Sequence, residues 1–315
     1  MQNILLSIYI PTYNRADKVV KQIKYILDET KGLDISKIEI IVNNNCSTDD
    51  TEQKVLSFIE GMPVTYHRNE CNLGIVGNAY AAVNLVHGKY FWLIGDDDEI
   101  CEGAIKRVYD LINSNPKISY IYLNHSNMMS IDKPAYDGPG GLIENGDKLI
   151  TNQKADRIGV VILTTGSIYL REGLEKTVHD LPLSECVSYG WSGYAALASM
   201  KMGCSYFDDK IWVHMDGQNK SWEDIAYYAE MGWIRMFDRL TNVGYTKSDI
   251  AMIYNSYIPV HIIAEQVITI LFKEKKFKTF LSDFFFCFRK APVKVTCICF
   301  GLLCEKIKTM KVKKI

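Results

Sequence analysis

A chain of 315 residues with 48% apolar content can bury a sizeable core, and its length points to two domains or one large α/β domain with an appendage. The formal net charge of −1 is unevenly placed: the balance from Lys273 to Ile315 is +9 and that of the preceding body is −10, so the acidic body argues against nucleic-acid binding while the basic tail signals another partner. No apolar run reaches the roughly 18 residues of a spanning helix, and the first strand-like segment has no charged leader before it, so neither a membrane span nor a signal peptide is expected. In chain order, Leu5–Ile10 reads as a strand stopped by Pro11, Ala16–Leu27 as a helix and Ile38–Val42 as a buried strand. Ser47-Thr48-Asp49-Asp50 then caps a helix to about Ile59. Val64–His67 is a short strand, Ile75–Val86 a helix closed by Gly88, Tyr90–Ile94 a strand, Gly103–Asn113 a helix and Ile118–Leu123 a strand. This alternation predicts a parallel sheet with crossover helices. Asp132–Asp147, rich in Gly and Pro, is expected to be a flexible loop. Beyond it, Ser167–Leu170 reads as a strand, Trp191–Met202 as a helix, Tyr206–His214 as a strand pair, and Trp222–Leu240 and Ser248–Phe272 as long helices.

Ligands of open parallel sheets bind beyond the carboxyl ends of the strands. Three polar clusters fall on that edge: Thr12-Tyr13-Asn14-Arg15, Asn43-Asn44-Asn45 and Asp96-Asp97-Asp98. The last closes "WLIGDDDEI" (Trp92–Ile100), where an apolar strand runs into four adjacent acids. Like charges so close need a counter-charge or full hydration. A divalent cation bridging to phosphate oxygens meets the first condition, and a solvated acidic turn the second.

The segments "SIYIPTYNR" (Ser7–Arg15), "IVNNNCSTDDT" (Ile41–Thr51), "NLGIVGN" (Asn72–Asn78) and "GKYFWLIGDDDEI" (Gly88–Ile100) together resemble the family 2 glycosyltransferases of the GT-A fold. The resemblance is close over the first third of the chain and loose over about Gly166–Trp222. The "WLIGDDDE" form, with "VHMDGQNKSW" further on, is most similar to the O-antigen and capsule branch that includes abequosyltransferases. It implies an α/β fold with a Rossmann-like, mostly parallel sheet flanked by helices and a helical C-terminal extension. Residues 1–125 would be the nucleotide-sugar-binding half, 126–222 the acceptor-side half and 223–315 a helical region with a basic tail. It also implies an enzyme of hexosyltransferase type, dependent on Mn²⁺ or Mg²⁺. Such an enzyme moves a sugar from a nucleotide-sugar donor to a saccharide acceptor, here a lipid-linked intermediate of surface polysaccharide synthesis.

Carried over position by position, Pro11, Thr12, Tyr13 and Arg15 match the loop around the nucleotide base and ribose, and Asn72, Gly74 and Asn78 a region lining the donor pocket. For Gly74 a helix-entry turn is an equal reading. Asp97 and Asp98 match the metal-motif acids, while Asp96 and Asp98 share the D-x-D spacing. Asp98 is expected on the metal with Asp96 as a further ligand, Asp96 or Asp97 lies near the ribose, and Asp97 counts among the catalytic residues. Asn44 stands where the family usually has an acid. An amide both donates and accepts, so it can meet uracil or cytosine better than guanine, which favours a pyrimidine donor such as a UDP-sugar. His214 falls where GT-A enzymes often place a histidine on the metal, or it is structural. Inverting transfer needs a general base, and the expected acids are missing from Tyr189-Gly190-Trp191-Ser192. Glu185 and Asp216 are the substitutes, and Trp191 is a face for sugar stacking or a core aromatic.

Nine cysteines without paired spacing fit a reducing, cytosolic compartment. Val267–Ile315 interleaves eight phenylalanines with Lys and Arg, as in an interfacial anchor on the cytoplasmic face of an inner membrane; a helical cap on the catalytic domain is the other reading. Two further functions compete. A nucleotidyltransferase would be expected to carry a Gly-rich phosphate loop, which "PTYNRADK" is not. A catalytically inactive GT-A binding module is kept open by the missing acid.

Overall fold

The computed structural model describes residues 3–127, 130–151, 161, 163–184, 190–214, 226–272 and 277–312. The chain divides into two compact units, one of Met1–Leu149 and Val160–Gly244, the other of Ile150–Gly159 and Tyr245–Ile315.

The first unit is built on a ten-stranded mixed sheet. Strands β1 (Leu6–Thr12), β2 (Ile38–Asn44), β3 (Thr65–Arg68) and β4 (Tyr90–Leu93) pair in parallel in the order β3-β2-β1-β4. They are joined through α1 (Ala16–Glu29), α2 (Thr51–Ile59), α3 (Gly74–Tyr80) and α4 (Ala82–Leu85). After the two-residue β5 (Glu99–Ile100) and α5 (Ala104–Ser114) come β6 (Ile118–Asn127), β7 (Ser130–Pro134), β8 (Gly141–Ile143) and α6 (Gly146–Thr151). The unit continues with β9 (Ser167–Leu170), α7 (Arg171–Asp180), α8 (Gly190–Met200), β10 (Cys204–His214) and α9 (Ala226–Met236). The sheet proceeds from β4 through antiparallel β9 to β6, and then parallel to β10. The expected mostly parallel α/β architecture, with helices at the C-terminal end, is what forms.

The central strands β1, β2 and β4 are mostly apolar and buried because both of their faces are covered. Side chains alternate between two layers. Leu6, Ile8 and Ile10 join Tyr90, Trp92, Val19, Ile23, Ile105 and Val108 in a mainly aliphatic layer under α1 and α5. Tyr9 turns the other way, to Phe91 at 6.0 Å, and an aromatic layer continues through Tyr169, Tyr120 and Phe207. Each such fully buried large side chain contributes about 1.5–3 kcal/mol relative to exposure.

Several expected boundaries move. Pro11 does not stop β1, because the Tyr9 carbonyl accepts from Ile94 N–H on the β4 side, and Pro11, two residues on, faces that side beyond the last paired residue, so its missing N–H costs no ladder bond. The expected 75–86 helix is broken between Tyr80 and Ala82. Tyr206–His214 is part of one bulged strand, not a pair, because β8, β6 and β5 each claim a stretch of β10. The expected flexible loop at 132–147 instead holds part of β7, β8 and the start of α6. Asn124 in β6 clips it: its Nδ2 donates to Tyr136 O at 2.8 Å and its Oδ1 accepts from Tyr136 N at 3.0 Å, and the buried Tyr136 ring stacks on Phe207 at 5.3 Å.

Of the expected long helices, the first divides into α9 and a 3-10 segment, Phe237–Val243, which ends at Gly244 with φ +91°. In the second unit, α10 (Lys247–Tyr257) starts at a Thr246–Asp249 capping box and stops before Pro259. Then follow α11 (Val260–Phe272), α12 (Phe277–Lys290) and α13 (Pro292–Val312). Ile262, Ile263, Phe280, Cys287 and Val295 are buried within this unit. Among the described residues no helix is long and apolar enough to cross a membrane.

Candidate active site

The carboxyl ends of β1, β2 and β4 meet where the polar clusters were expected to converge. Thr12, the last residue of β1, donates its hydroxyl to Asp96 Oδ2 at 2.7 Å. Arg15, the residue before α1, places Nη1 2.7 Å from Asp96 Oδ1 and 2.7 Å from Asp97 Oδ2. The counter-charge to the acid run is therefore supplied, at least in part, by this chain. Burial pushes the Asp96 carboxyl above its ordinary value despite the opposing pull of Arg15 and Thr12. Arg15 has its own burial against it, but Asp96 and then Asp97 hold its guanidinium above its ordinary value.

Asp98 is fixed from another direction. Thr165, just ahead of β9, donates its hydroxyl to Asp98 Oδ2 and accepts the Gly95 N–H at 3.0 Å. A Cβ on residue 95 would stand 2.8 Å from Asp98 Oδ2, so a larger residue there would push the Asp98 carboxylate aside. Nothing in the sequence ties Thr165 to the acid run 67 residues earlier; the β4–β9 pairing makes that connection.

Loop 13–15 is held by the segment after β2. Asn14, at φ +52°, receives Thr48 N–H on its Oδ1 and gives its own N–H to Ser47 Oγ, both at 2.8 Å. Ser47 and Thr48, expected to cap α2, are used here instead, and Asp49 accepts the Thr51 N–H. Tyr13 is 39% exposed beside Arg15, and Pro11 is half-buried.

Asn43 and Asn44 at the end of β2, and Asn45 just beyond it, are all buried. Asn44 is fully buried, with Nδ2 donating to Tyr66 OH at 2.9 Å and Oδ1 accepting from Ser47 N at 2.8 Å. This residue, expected to read the base, here joins the loop after β2 to β3. Asn78, also buried, accepts on Oδ1 from Asn43 and Asn69, which ties the second half of α3 to the end of β2 and the segment after β3. Asn45 donates to Asn72 Oδ1 at 2.8 Å, and Asn72 in turn accepts the Gly74 N–H. Gly74, at φ +71°, is the first residue of α3, and both Asn72 and Gly74 are exposed.

On the acceptor side, Trp191 is 1% exposed and meets Tyr80 edge-on at 6.3 Å and Tyr169 at 6.4 Å. It is a core aromatic, and the expected sugar-stacking face is corrected. Glu185 and Asp216 lie outside the described residues. His214 pairs in register with Glu99, one residue from Asp98, and its Nδ1 is buried with no partner among the described residues.

No three His, Cys, Asp or Glu groups among the described residues form a ready cage for a metal ion. Mg²⁺ and Mn²⁺ at phosphate sites do not require one, since one or two carboxylates with the substrate's phosphates and water suffice. Asp97 and Asp98, adjacent at the carboxyl end of β4, supply the one or two carboxylates that this open mode needs.

The sequence profile described as "Glycosyl transferase family 2" matches residues 7–178. Abequosyltransferase RfbV of Salmonella typhimurium is 34% identical over 118 residues, 36% of this chain and 34% of that protein. The chain spans about a third of the length of the curated relatives it matches. Among solved structures, S. aureus TarS 1–349 in complex with UDP-GlcNAc superposes with a TM-score of 0.61 at 16% identity, over 94% of this chain and 84% of that one. A mannosyltransferase of Pyrobaculum calidifontis, in complex with GDP-Man and Mn²⁺, gives 0.56 at 11% over 93% and 87%.

Proposed function

This chain belongs to glycosyl transferase family 2, and we propose that it moves a sugar from a nucleotide-sugar donor to a saccharide acceptor, using a divalent cation. The observation that carries the proposal is the cluster of Thr12, Arg15, Asp96 and Asp97 at the ends of β1 and β4, with Asp98 beside it. Asp98, with Asp97 or Asp96 and His214, would hold the cation, which when bound supplies positive charge to the diphosphate leaving group. Tyr13 offers an exposed ring to the base, and Thr12 fixes the Asp96 carboxylate. The acceptor hydroxyl adds to the anomeric carbon as the bond to the diphosphate breaks, and its proton passes to a carboxylate. Glu185 and Asp216 are the acids proposed for that step.

A uridine donor is supported by the TarS complex with UDP-GlcNAc, while the Pyrobaculum structure holds GDP-Man. We therefore take UDP-sugars as the first donors to test and GDP-sugars as the second. The acceptor is proposed to be a lipid-linked saccharide, reached at the cytoplasmic face of the inner membrane. The support is in the second unit, where Leu271 (66%), Phe285 (53%) and Phe300 (68%) are exposed amid the basic excess of the tail. The test is calorimetric titration of UDP and GDP with and without Mn²⁺, followed by release of nucleotide from a sugar-nucleotide panel. Mn²⁺-dependent binding of one nucleotide, with release from one of its sugars, is expected; binding of neither nucleotide would overturn the reading.

A further inference from the structure

Cys46 and Cys71 stand on two neighbouring turns, Cys46 two residues after β2 and Cys71 three residues after β3. The turns are tied together. Asn69 donates its N–H to Asn44 O at 2.9 Å, so the parallel pairing of Asn44 with Arg68 runs one step further. Asn45 Oδ1 then accepts the Leu73 N–H at 2.9 Å. Cys46 follows at φ +61°, an uncommon backbone for a residue other than glycine. Its thiol donates to Glu70 O at 3.6 Å. That oxygen and the Cys71 Cα lie about 2.8 Å apart across a trans peptide, so the Cα is within about 6.4 Å of the Cys46 sulfur. Arg68 Nη2 donates to the same sulfur at 3.5 Å, which sets a positive charge beside the atom that an oxidant would meet. Cys46 is half-buried and Cys71 exposed, so a small oxidant reaches both. Other described thiols are placed differently. Cys297 and Cys299, two apart on α13, do not face each other, and Cys287 is buried. Cys101 lies beside Trp212, eight residues and roughly 25 Å along β10 from Cys204.

We propose that Cys46 and Cys71 are a reversible thiol pair, a site of oxidation by hydrogen peroxide, and that their bridge weakens donor binding. In the first step the Cys46 thiolate attacks one peroxide oxygen. The O–O bond breaks, hydroxide leaves and Cys46 becomes a sulfenic acid. In the second step the Cys71 sulfur attacks the Cys46 sulfur. The S–O bond breaks, and the departing hydroxyl takes the Cys71 thiol proton and leaves as water. The two sulfurs lose two electrons and the peroxide gains them. In a reducing compartment the pair stays as thiols and bridges when peroxide rises. The bridge acts on both turns. Cys46 is joined to Ser47, which accepts the Asn14 N–H and so holds the loop of Tyr13 and Arg15. Cys71 is joined to Asn72, which accepts from Asn45 Nδ2 and from the Gly74 N–H at the start of α3. Drawing the sulfurs to a bond of about 2.05 Å moves Asn72 with Cys71. The effect on donor binding rests on the glycosyltransferase reading above; the bridge does not.

The test treats the full chain with a small excess of hydrogen peroxide, alkylates the remaining thiols and maps the digest by mass spectrometry, beside Cys46→Ser and Cys71→Ser. A peptide pair joined through Cys46 and Cys71 is expected, lost on treatment with dithiothreitol and absent from both variants. No such pair in the unaltered chain, or a bridge of either thiol to another cysteine in its place, overturns the site. UDP and GDP are then titrated with Mn²⁺ into the reduced and the bridged protein. Bridging should weaken whichever nucleotide binds by roughly 5-fold or more, the lower end of typical coupling between two sites, and dithiothreitol should restore it. Equal affinity of the two forms overturns the effect on the donor. Failure of the reduced chain to bind either nucleotide overturns the donor reading itself, and the peptide map still decides the thiol pair.

Discussion

The Thr165 hydroxyl donates to Asp98, joining two residues 67 positions apart across the β4–β9 pairing. The same oxygen accepts the Gly95 N–H, so one small side chain sets both the turn before the acids and the direction of the last of them. Thr165→Val keeps the shape and removes the hydroxyl. It leaves the Gly95 N–H without its acceptor, at a cost of about 1–3 kcal/mol. Thermal unfolding should fall accordingly, and Thr165→Ser should restore most of the loss. If Val and Ser variants unfold alike, the hydroxyl is not what holds this turn.

Asp98→Asn addresses the cation directly. The change removes one charge from a crowded acid run, so the fold should be retained and the circular dichroism spectrum unchanged. Mn²⁺-dependent nucleotide binding should be lost, because an amide oxygen is a much weaker partner for a hard cation than a carboxylate. An unaltered UDP titration in Mn²⁺ would remove Asp98 from the proposed metal site.

What was legible in the sequence was what local pattern controls. Leu6 to Ile10 is apolar but for the buried Ser7, and Tyr90 to Ile94 is apolar throughout, because these strands are covered on both faces, and such runs declare themselves. The convergence of Thr12, Arg15 and Asp96 to Asp98 followed from the sheet-edge rule. Illegible was the direction in which a polar side chain turns once it reaches that edge. Asn44 and Asn78 stand at plausible ligand positions, yet their amides are bound to Tyr66 and Ser47, and to Asn43 and Asn69. A carboxamide looks the same in a sequence whether it serves a ligand or a neighbouring loop. Trp191 was open for a similar reason, since an aromatic at a helix start can pack inward or outward, and here it packs on Tyr80 and Tyr169.

The clip between Asn124 and Tyr136 carries a prediction of its own. Gly and Pro in 132–147 suggested a flexible loop, but Asn124 supplies the donor and acceptor that a neighbouring strand would. Asn124→Ala should free the Tyr136 backbone and weaken the stacking of its ring on Phe207. Limited proteolysis should then cut within 135–140 at concentrations that leave the original chain intact. A global stability loss of about 1–3 kcal/mol is expected alongside. Resistance equal to that of the unaltered chain would show that the segment is held by its own strands, β7 and β8.

The membrane reading can be separated from the fold of the second unit. Truncation before Lys273 would be a poor test, because Phe280, Cys287, Ala291 and Val295 are buried in that unit, as are Ile262 and Ile263 of α11, and cutting between these groups would strip its core. Exposed positions serve better: Phe285 at 53%, Phe300 at 68% and Val293 at 73% carry apolar surface that the chain itself does not cover. Phe285→Ser combined with Phe300→Ser should leave the helix content and unfolding temperature close to those of the original, since neither ring is buried. The original chain should sediment with anionic vesicles at low salt, drawn by a tail whose basic residues are each worth about 1 kcal/mol near such a surface. Raising the salt should release part of it, as the screening length falls from about 10 Å at 0.1 M to about 3 Å at 1 M. The double variant should sediment less at every salt concentration, because its apolar contribution is gone while its charge is intact. Equal sedimentation of variant and original would assign the binding to charge alone, and no sedimentation of either at low salt would leave the exposed rings without a membrane role.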